Sequence, residues 1–168
     1  MKQVRAILLA AGLGKRLRPL TTSIPKCLVP IGGEPLLGRW LRMLESIGCE
    51  RVLINTCYLS DQVHSFLKSK QYSRLKPEIS HEIKLLGTAG TLIANKGFFK
   101  GCTGLLIHAD NATDIDINNL IEAHRQRPEN CLLTMLTFTT SNPKACGVVE
   151  IDNKGVVQGF YEKVSNAP

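Results

Sequence analysis

Residues 8–30 constrain this chain more than any other stretch. An apolar segment runs through Leu8-Leu-Ala-Ala11 into Gly12-Leu-Gly14, and the loop beyond carries Lys15, Arg16, Arg18 and Lys26. Pro19, Pro25 and Pro30 forbid a normal helix directly after the glycines. A long ordered loop to Gly33 is therefore expected, and loops of that length in compact domains are usually functional. Glycine lets backbone N–H groups approach a ligand closely, and clustered Lys and Arg favour phosphate. The stretch reads as a triphosphate-binding loop. Backbone donors, Lys15 and Arg16 suit the β- and γ-phosphates, and Lys26, from the far end of the loop, suits the α-phosphate.

Two better-known phosphate motifs fail on spacing. Gly12-Leu-Gly14 begins like the dinucleotide fingerprint, but Leu17 stands where its third glycine belongs and Pro19 blocks the helix. Lys15 follows Gly14 as in a Walker loop, yet Arg16 replaces the Ser or Thr and no glycine lies five residues before Gly14.

Charge points the same way. Residues 1–42 hold eight basic side chains against Glu34 alone, a net of +7, while the rest of the 168-residue chain balances. No aromatic residue lies within residues 1–39, so a compact polyanion fits this segment better than a nucleic-acid polymer. The longest apolar runs are strand-sized, which excludes a membrane span, and Met1-Lys-Gln-Val-Arg5 enters a strand without a signal-like apolar region. A cytoplasmic protein is expected. Six cysteines and four histidines are scattered without metal-site spacing, so reduced thiols and no structural zinc are expected.

Along the chain, strands are expected at Val4–Ala10, Arg51–Cys57, Gly104–His108, Cys131–Phe138, Val148–Ile151 and Val156–Glu162, with a short edge strand at Glu78–Ile83. Helices are expected over Leu36–Ile47, stopped by Gly48, and over a short segment capped by Ser60. Others follow the turn Leu86-Gly-Thr-Ala-Gly90, to about Lys96, and Asp116, to Gln126. Residues 69–77 read as a connection, and Asp152–Gly155 as a turn. Alternating strand and helix predicts an α/β fold: a doubly wound, mostly parallel, Rossmann-like sheet with helices on both faces and an antiparallel C-terminal tail. A single domain over residues 1–168 is expected. Ligands in such sheets bind beyond the carboxyl ends of the strands, where both glycine turns and Asp110 fall. A carboxylate at that position suits Mg²⁺ bound to phosphates, whereas Asp114 and Asp116 suit the start of the following helix.

Leu9-Ala-Ala-Gly-Leu-Gly-Lys-Arg-Leu-Arg-Pro-Leu-Thr21, with Pro25-Lys26, resembles the signature of the sugar-1-phosphate nucleotidyltransferases. Leu86-Gly-Thr-Ala-Gly90, Ala109-Asp110, Gly147-Val-Val-Glu150 and Phe160-Tyr-Glu-Lys163 follow in that family's order. The Leu-Gly-Thr-Ala-Gly form looks most like mannose-1-phosphate guanylyltransferases and their heptose or uridylyl relatives. The resemblance implies transfer of a nucleoside monophosphate from an NTP, GTP favoured, to a sugar 1-phosphate, mannose 1-phosphate favoured. It implies nucleotide binding by Ala10, Ala11, Gly12, Gly14, Lys15, Arg16, Lys26, Gly87, Thr88 and Gly90, with Gly12 and Gly90 opening the backbone to the base. Arg16 would hold the leaving pyrophosphate, Lys26 the transferring phosphate and Asp110 the Mg²⁺ cofactor. Gly147, Glu162 and Lys163 would form the sugar-phosphate side. No nucleic acid or membrane partner is implied, and a homo-oligomer is compatible with the pattern. In that family the chain continues past Glu-Lys to a second metal-binding Asp, whereas this sequence stops at Pro168. The expectation is thus the N-terminal two-thirds of such an enzyme, with a catalytically incomplete nucleotide-binding or regulatory module as the alternative.

Overall fold

The computed structural model describes residues 3–69 and 74–162. The chain divides into two compact units, Met1–Ile115 and Asp116–Pro168.

The first unit is built on β1 (Val4–Leu9), whose Ala6, Ile7 and Leu8 are fully buried. A strand apolar on both faces belongs in the middle of a parallel sheet. The loop beyond it is ordered by three 3₁₀ turns, Lys15–Leu17, Leu20–Thr22 and Lys26–Leu28. It ends in a small hairpin of β2 (Pro30–Ile31) and β3 (Glu34–Pro35). The expected loop is therefore ordered throughout: Pro19 and Pro25 each precede a short 3₁₀ turn, and Pro30 begins the hairpin. α1 (Leu36–Ser46) buries Leu36, Leu37, Trp40, Leu41 and Leu44, a stripe at helical spacing. Gly48, at φ +74°, takes the left-handed position after its end, and the Gly48 and Cys49 N–H groups donate to the Glu45 and Leu44 carbonyls.

β4 (Arg51–Thr56), α2 (Ser60–Lys68), β5 (Lys76–His81), α3 (Gly87–Ala94) and β6 (Thr103–His108) follow. The four long strands form one parallel sheet in the order β5-β4-β1-β6. Ile7 sits level with Leu53 on one side and Leu106 on the other. Pro77, which has no N–H for a ladder, is placed on the edge strand β5. The chain winds from β1 outward through β4 to β5, then returns past β1 to β6. Right-handed crossovers therefore put α1 and α2 on one face and α3 on the other. The direction reverses beside β1, and the crevice at the carboxyl ends of β1 and β6 is the topological switch point.

Several boundaries differ from expectation for local reasons. The N-cap of α2 is Leu59, at φ +51°, not Ser60, which is already helical. β5 lies two residues earlier than expected, because its pairing starts opposite Arg51. α3 ends at Ala94, and a separate 3₁₀ turn covers Lys96–Phe99. Part of the expected connection at 69–77, residues 70–73, lies outside the described residues.

In the second unit, Asp116 caps α4 (Ile117–Gln126) by accepting a hydrogen bond from the Asn118 N–H at 2.9 Å. β7 (Gly147–Ile151) and β8 (Val157–Glu162) form an antiparallel hairpin closed by the Asp152–Gly155 turn. The expected strand at Cys131–Phe138 is absent. Those residues carry no regular secondary structure and no ladder, with Leu132 88% and Phe138 77% exposed. An apolar run becomes a strand only by pairing, and among the described residues of this unit β7 and β8 pair with each other. Among the described residues no helix is long and apolar enough to cross a membrane.

Candidate functional site

The carboxyl ends of the parallel strands enclose a cavity of about 430 Å³. The first turn, Ala10–Arg16, forms one wall, and Gly87, Thr88 and Thr91 of the second turn and α3 form another. Lys26, His108 and Asp110 complete it at the end of β6. The switch-point crevice is thus an actual recess, lined by both glycine turns and carrying cations.

The first turn is held closed from within. The Gly14 carbonyl accepts from the Leu17 N–H at 2.9 Å and from the Thr21 hydroxyl at 2.8 Å. Gly14 itself lies at φ +62°, and a Cβ there would stand 2.9 Å from the Thr21 methyl. Glycine is required at this position on both counts. Thr21, Pro25 and Cys27 are buried, giving the loop a small core of its own. From the other side the Tyr58 hydroxyl donates to the Thr22 carbonyl at 3.0 Å and Gln62 to the Ser23 carbonyl at 2.7 Å.

The cations are not equivalent. Lys15 and Arg16 are exposed at the cavity and have no ion-pair partner among the described residues. Lys26 is more enclosed and its ammonium donates to Asp110 Oδ2. Among the described residues the cavity wall thus carries two cations without an ion-pair partner and one, Lys26, that is paired. Beside Lys26, burial pushes the Cys27 thiol up to about 12, with a small further rise from Asp110, so Cys27 is inert wall and not a nucleophile.

Asp110 and Glu82 are the carboxylates that line the cavity among the described residues. Glu82 is 5% exposed and fully used: Oε1 accepts from Asn55 and Thr91, and Oε2 from the Leu86 N–H. Burial alone would raise its pKa, but the hydrogen bonds from Thr91, Asn55 and Leu86 outweigh it, with a smaller contribution from His81, and hold the carboxyl below its usual range. Asp110 is the carboxylate open to the cavity. Mg²⁺ is commonly held by one or two carboxylates together with substrate phosphates and water, so a lone carboxylate beside a phosphate loop fits that ion. Among the described residues no cluster of three or more His, Cys, Asp or Glu is placed to hold a metal. Asp114 instead pairs with Arg39 of α1.

Of the expected nucleotide-site residues, Ala10, Ala11, Gly12, Gly14, Lys15, Arg16, Lys26, Gly87, Thr88 and Asp110 all line this one cavity. Gly90 does not: it lies on α3 with the Leu86 side chain 3.0 Å from where its Cβ would be. That close contact explains a glycine there without any ligand. Gly147 and Glu162 are direct partners across the β7–β8 ladder, and a Cβ on Gly147 would meet the Phe160 ring at 2.8 Å. Lys163 lies outside the described residues. Sequence reasoning missed Asn55, Glu82 and Thr91. The only available signal was Asn55 itself, an amide directly after the apolar run Val52-Leu-Ile54, where burial would demand a partner.

The nucleotidyl transferase family model matches residues 5–168, spanning both compact units. Mannose-1-phosphate guanylyltransferase catalytic subunit beta of Drosophila pseudoobscura pseudoobscura is 33% identical over 163 residues, covering 95% of this chain and 43% of that protein. UTP--glucose-1-phosphate uridylyltransferase of Synechocystis is 29% identical over 173 residues, covering 95% of this chain and 44% of that protein. Among solved structures, HddC from Yersinia pseudotuberculosis complexed with GMP-PN superposes with a TM-score of 0.78 at 25% identity, covering 97% of this chain and 70% of that one. The chain spans less than half the length of these curated relatives.

Proposed function

The chain belongs to the nucleotidyl transferase family, and on that premise we propose that it joins a nucleoside triphosphate, GTP in the first instance, to a sugar 1-phosphate, mannose 1-phosphate in the first instance. The products are a nucleotide sugar and pyrophosphate. The observation that carries this reading is the meeting of the Gly12–Arg16 turn, Lys26 and Asp110 in one cavity at the switch point. The guanylyl preference rests on the first-named relative and on the Leu-Gly-Thr-Ala-Gly form of the second turn.

In this mechanism a phosphate oxygen of the sugar 1-phosphate attacks the α-phosphorus in line. The new P–O bond forms as the bond to the β-phosphate oxygen breaks, and pyrophosphate leaves with that electron pair. The attacking oxygen is already ionised, so no general base is needed, and positioning and charge stabilisation carry the rate. Lys15, Arg16 and the turn's backbone N–H groups hold the β- and γ-phosphates. Lys26 moves from Asp110 to the α-phosphate, where negative charge is redistributed in the transition state. Asp110 would hold Mg²⁺, which supplies further neutralisation of phosphate charge when bound. Gly147, Glu162 and Lys163 are assigned to the sugar phosphate by resemblance, and both compact units to one nucleotidyltransferase domain. A cytoplasmic location, with small-molecule substrates as the partners, completes the reading.

A second reading has its own support. Asp110 is the sole open carboxylate of the cavity among the described residues. On that reading the chain binds nucleotide without turning it over. Pyrophosphate release from GTP and mannose 1-phosphate with Mg²⁺, run beside GTP calorimetry, separates the two. Release with binding supports the enzyme. Binding without release, for every NTP and sugar phosphate tried, supports the module. Neither signal would sink both.

A further inference from the structure

The two turns of the cavity come from distant parts of the chain, and a buried side-chain relay connects them. Asn55, at the end of β4, accepts from the Ala10 N–H at 2.7 Å and the Ala11 N–H at 3.3 Å through the same oxygen, Oδ1. Its Nδ2 donates to Glu82 Oε1 at 2.9 Å and lies 3.2 Å from the Thr91 hydroxyl oxygen. The Thr91 hydroxyl donates to the same Glu82 oxygen, while Glu82 Oε2 accepts from the Leu86 N–H at 3.1 Å, where the second turn begins. The Glu82 N–H donates to the Thr56 carbonyl at 2.7 Å, pinning the relay to the end of β4. Asn55, Glu82 and Thr91 are 4%, 5% and 1% exposed.

The chemistry fixes every orientation. A flipped Asn55 amide would set its NH₂ group against two backbone N–H donors and its oxygen against a carboxylate. A buried carboxylate is costly unless donors surround it, and a well-packed apolar residue would serve stability as well or better. What an apolar residue cannot do is join the backbone of the first turn to the backbone of the second.

We infer that Glu82 is a positioning residue for the nucleotide site, setting the spacing between the phosphate turn at Ala10–Arg16 and the turn at Leu86–Thr88 through Asn55 and Thr91. It touches no reacting atom. The inference rests on the nucleotide-site reading above for its consequence, but not for its geometry. A ligand spanning both turns feels that spacing, whereas a fragment held by one turn does not.

The test uses Glu82→Gln, which sets an NH₂ group against a donor, and the double variant Asn55→Asp with Glu82→Gln. The double variant moves the relay's negative charge from position 82 to position 55 while leaving a partner for each donor. Amide hydrogen exchange reads the relay without ligand. Glu82→Gln should speed exchange at Ala10 and Ala11 by about tenfold with α1 unchanged, and the double variant should restore it. Unchanged Ala10 and Ala11, acceleration of α1 to the same degree, or a double variant no better than the single would each overturn the relay. Calorimetry then compares GTP with guanosine and with inorganic tripolyphosphate. GTP should weaken by about tenfold in Glu82→Gln and each fragment by less than about threefold. A parallel loss in all three would make the residue merely structural. Should the wild-type protein bind no GTP, the nucleotide reading falls, while the exchange experiment still decides the relay.

Discussion

Lys26 and Asp110 hold each other in the cavity wall, so each side chain is in place before any ligand arrives. Replacing Lys26 by Ala should lower the rate of pyrophosphate release by about 10²–10³-fold, the cost of removing a comparable electrostatic donor. An unchanged rate would mean that the α-phosphate lies elsewhere. Glu82 gives a second residue-level outcome. Its folded pKa is depressed, so its contribution is present above the unfolded value of about 4.3 and is lost as pH falls through the folded value. Urea denaturation should show Glu82→Gln less stable than wild type at pH 7, with the gap narrowing below about pH 4. A gap that widens on acidification would refute the assignment. Of the four loop cations, Lys15, Arg16 and Lys26 line the cavity and Arg18 does not; the stretch stood out in the sequence because charge at that density beside glycines has few uses. Asn55 and Glu82 were not, because each looks like an ordinary strand-end polar residue until the sheet sets β4 beside β1 and β5.

At the level of elements, the Ala10–Arg16 turn depends on two glycines in different ways. Gly14 sits in the left-handed region against Thr21, whereas Gly12 has open space where a Cβ would go. Gly14→Ala should cost about 2 kcal/mol of stability, from the backbone conformation and the clash together. Adding Thr21→Ser, which removes the offending methyl and keeps the hydroxyl for the Gly14 carbonyl, should recover part of it. Gly12→Ala should leave the melting temperature nearly unchanged, so that any lost GTP affinity reports contact with ligand. Equal destabilisation by the two substitutions would contradict this division. The same scale shows what patterning can and cannot deliver. β1, β4, β6, α1 and α4 were legible because apolar runs and stripes carry their own period. Cys131–Phe138 has an equally apolar run, but a strand needs a hydrogen-bonding neighbour, and sequence pattern says nothing about whether one is supplied.

For the molecule as a whole, family membership and the parallel sheet were both readable from the order of motifs, while the site's internal wiring required three dimensions. The charge distribution links the two levels. Residues 1–42 carry the whole net charge of +7, and Lys15, Arg16 and Lys26 bring part of it to the cavity wall. Lys15 and Arg16 are exposed and without ion-pair partners among the described residues, so their field reaches solvent and is open to screening. Raising salt from 0.1 M to 1 M shortens the screening length from about 10 Å to about 3 Å. GTP affinity should fall by at least about tenfold over that range, and guanosine affinity should hardly move, since guanosine lacks the phosphates these cations address. Replacing Lys15 and Arg16 together by Gln should flatten the GTP dependence, while the same change at Lys100 and Lys154, which do not line the cavity, should leave it intact. GTP binding insensitive to salt in the wild-type chain would show that the concentrated charge serves some other partner, and that the cavity recognises its ligand by shape and backbone alone.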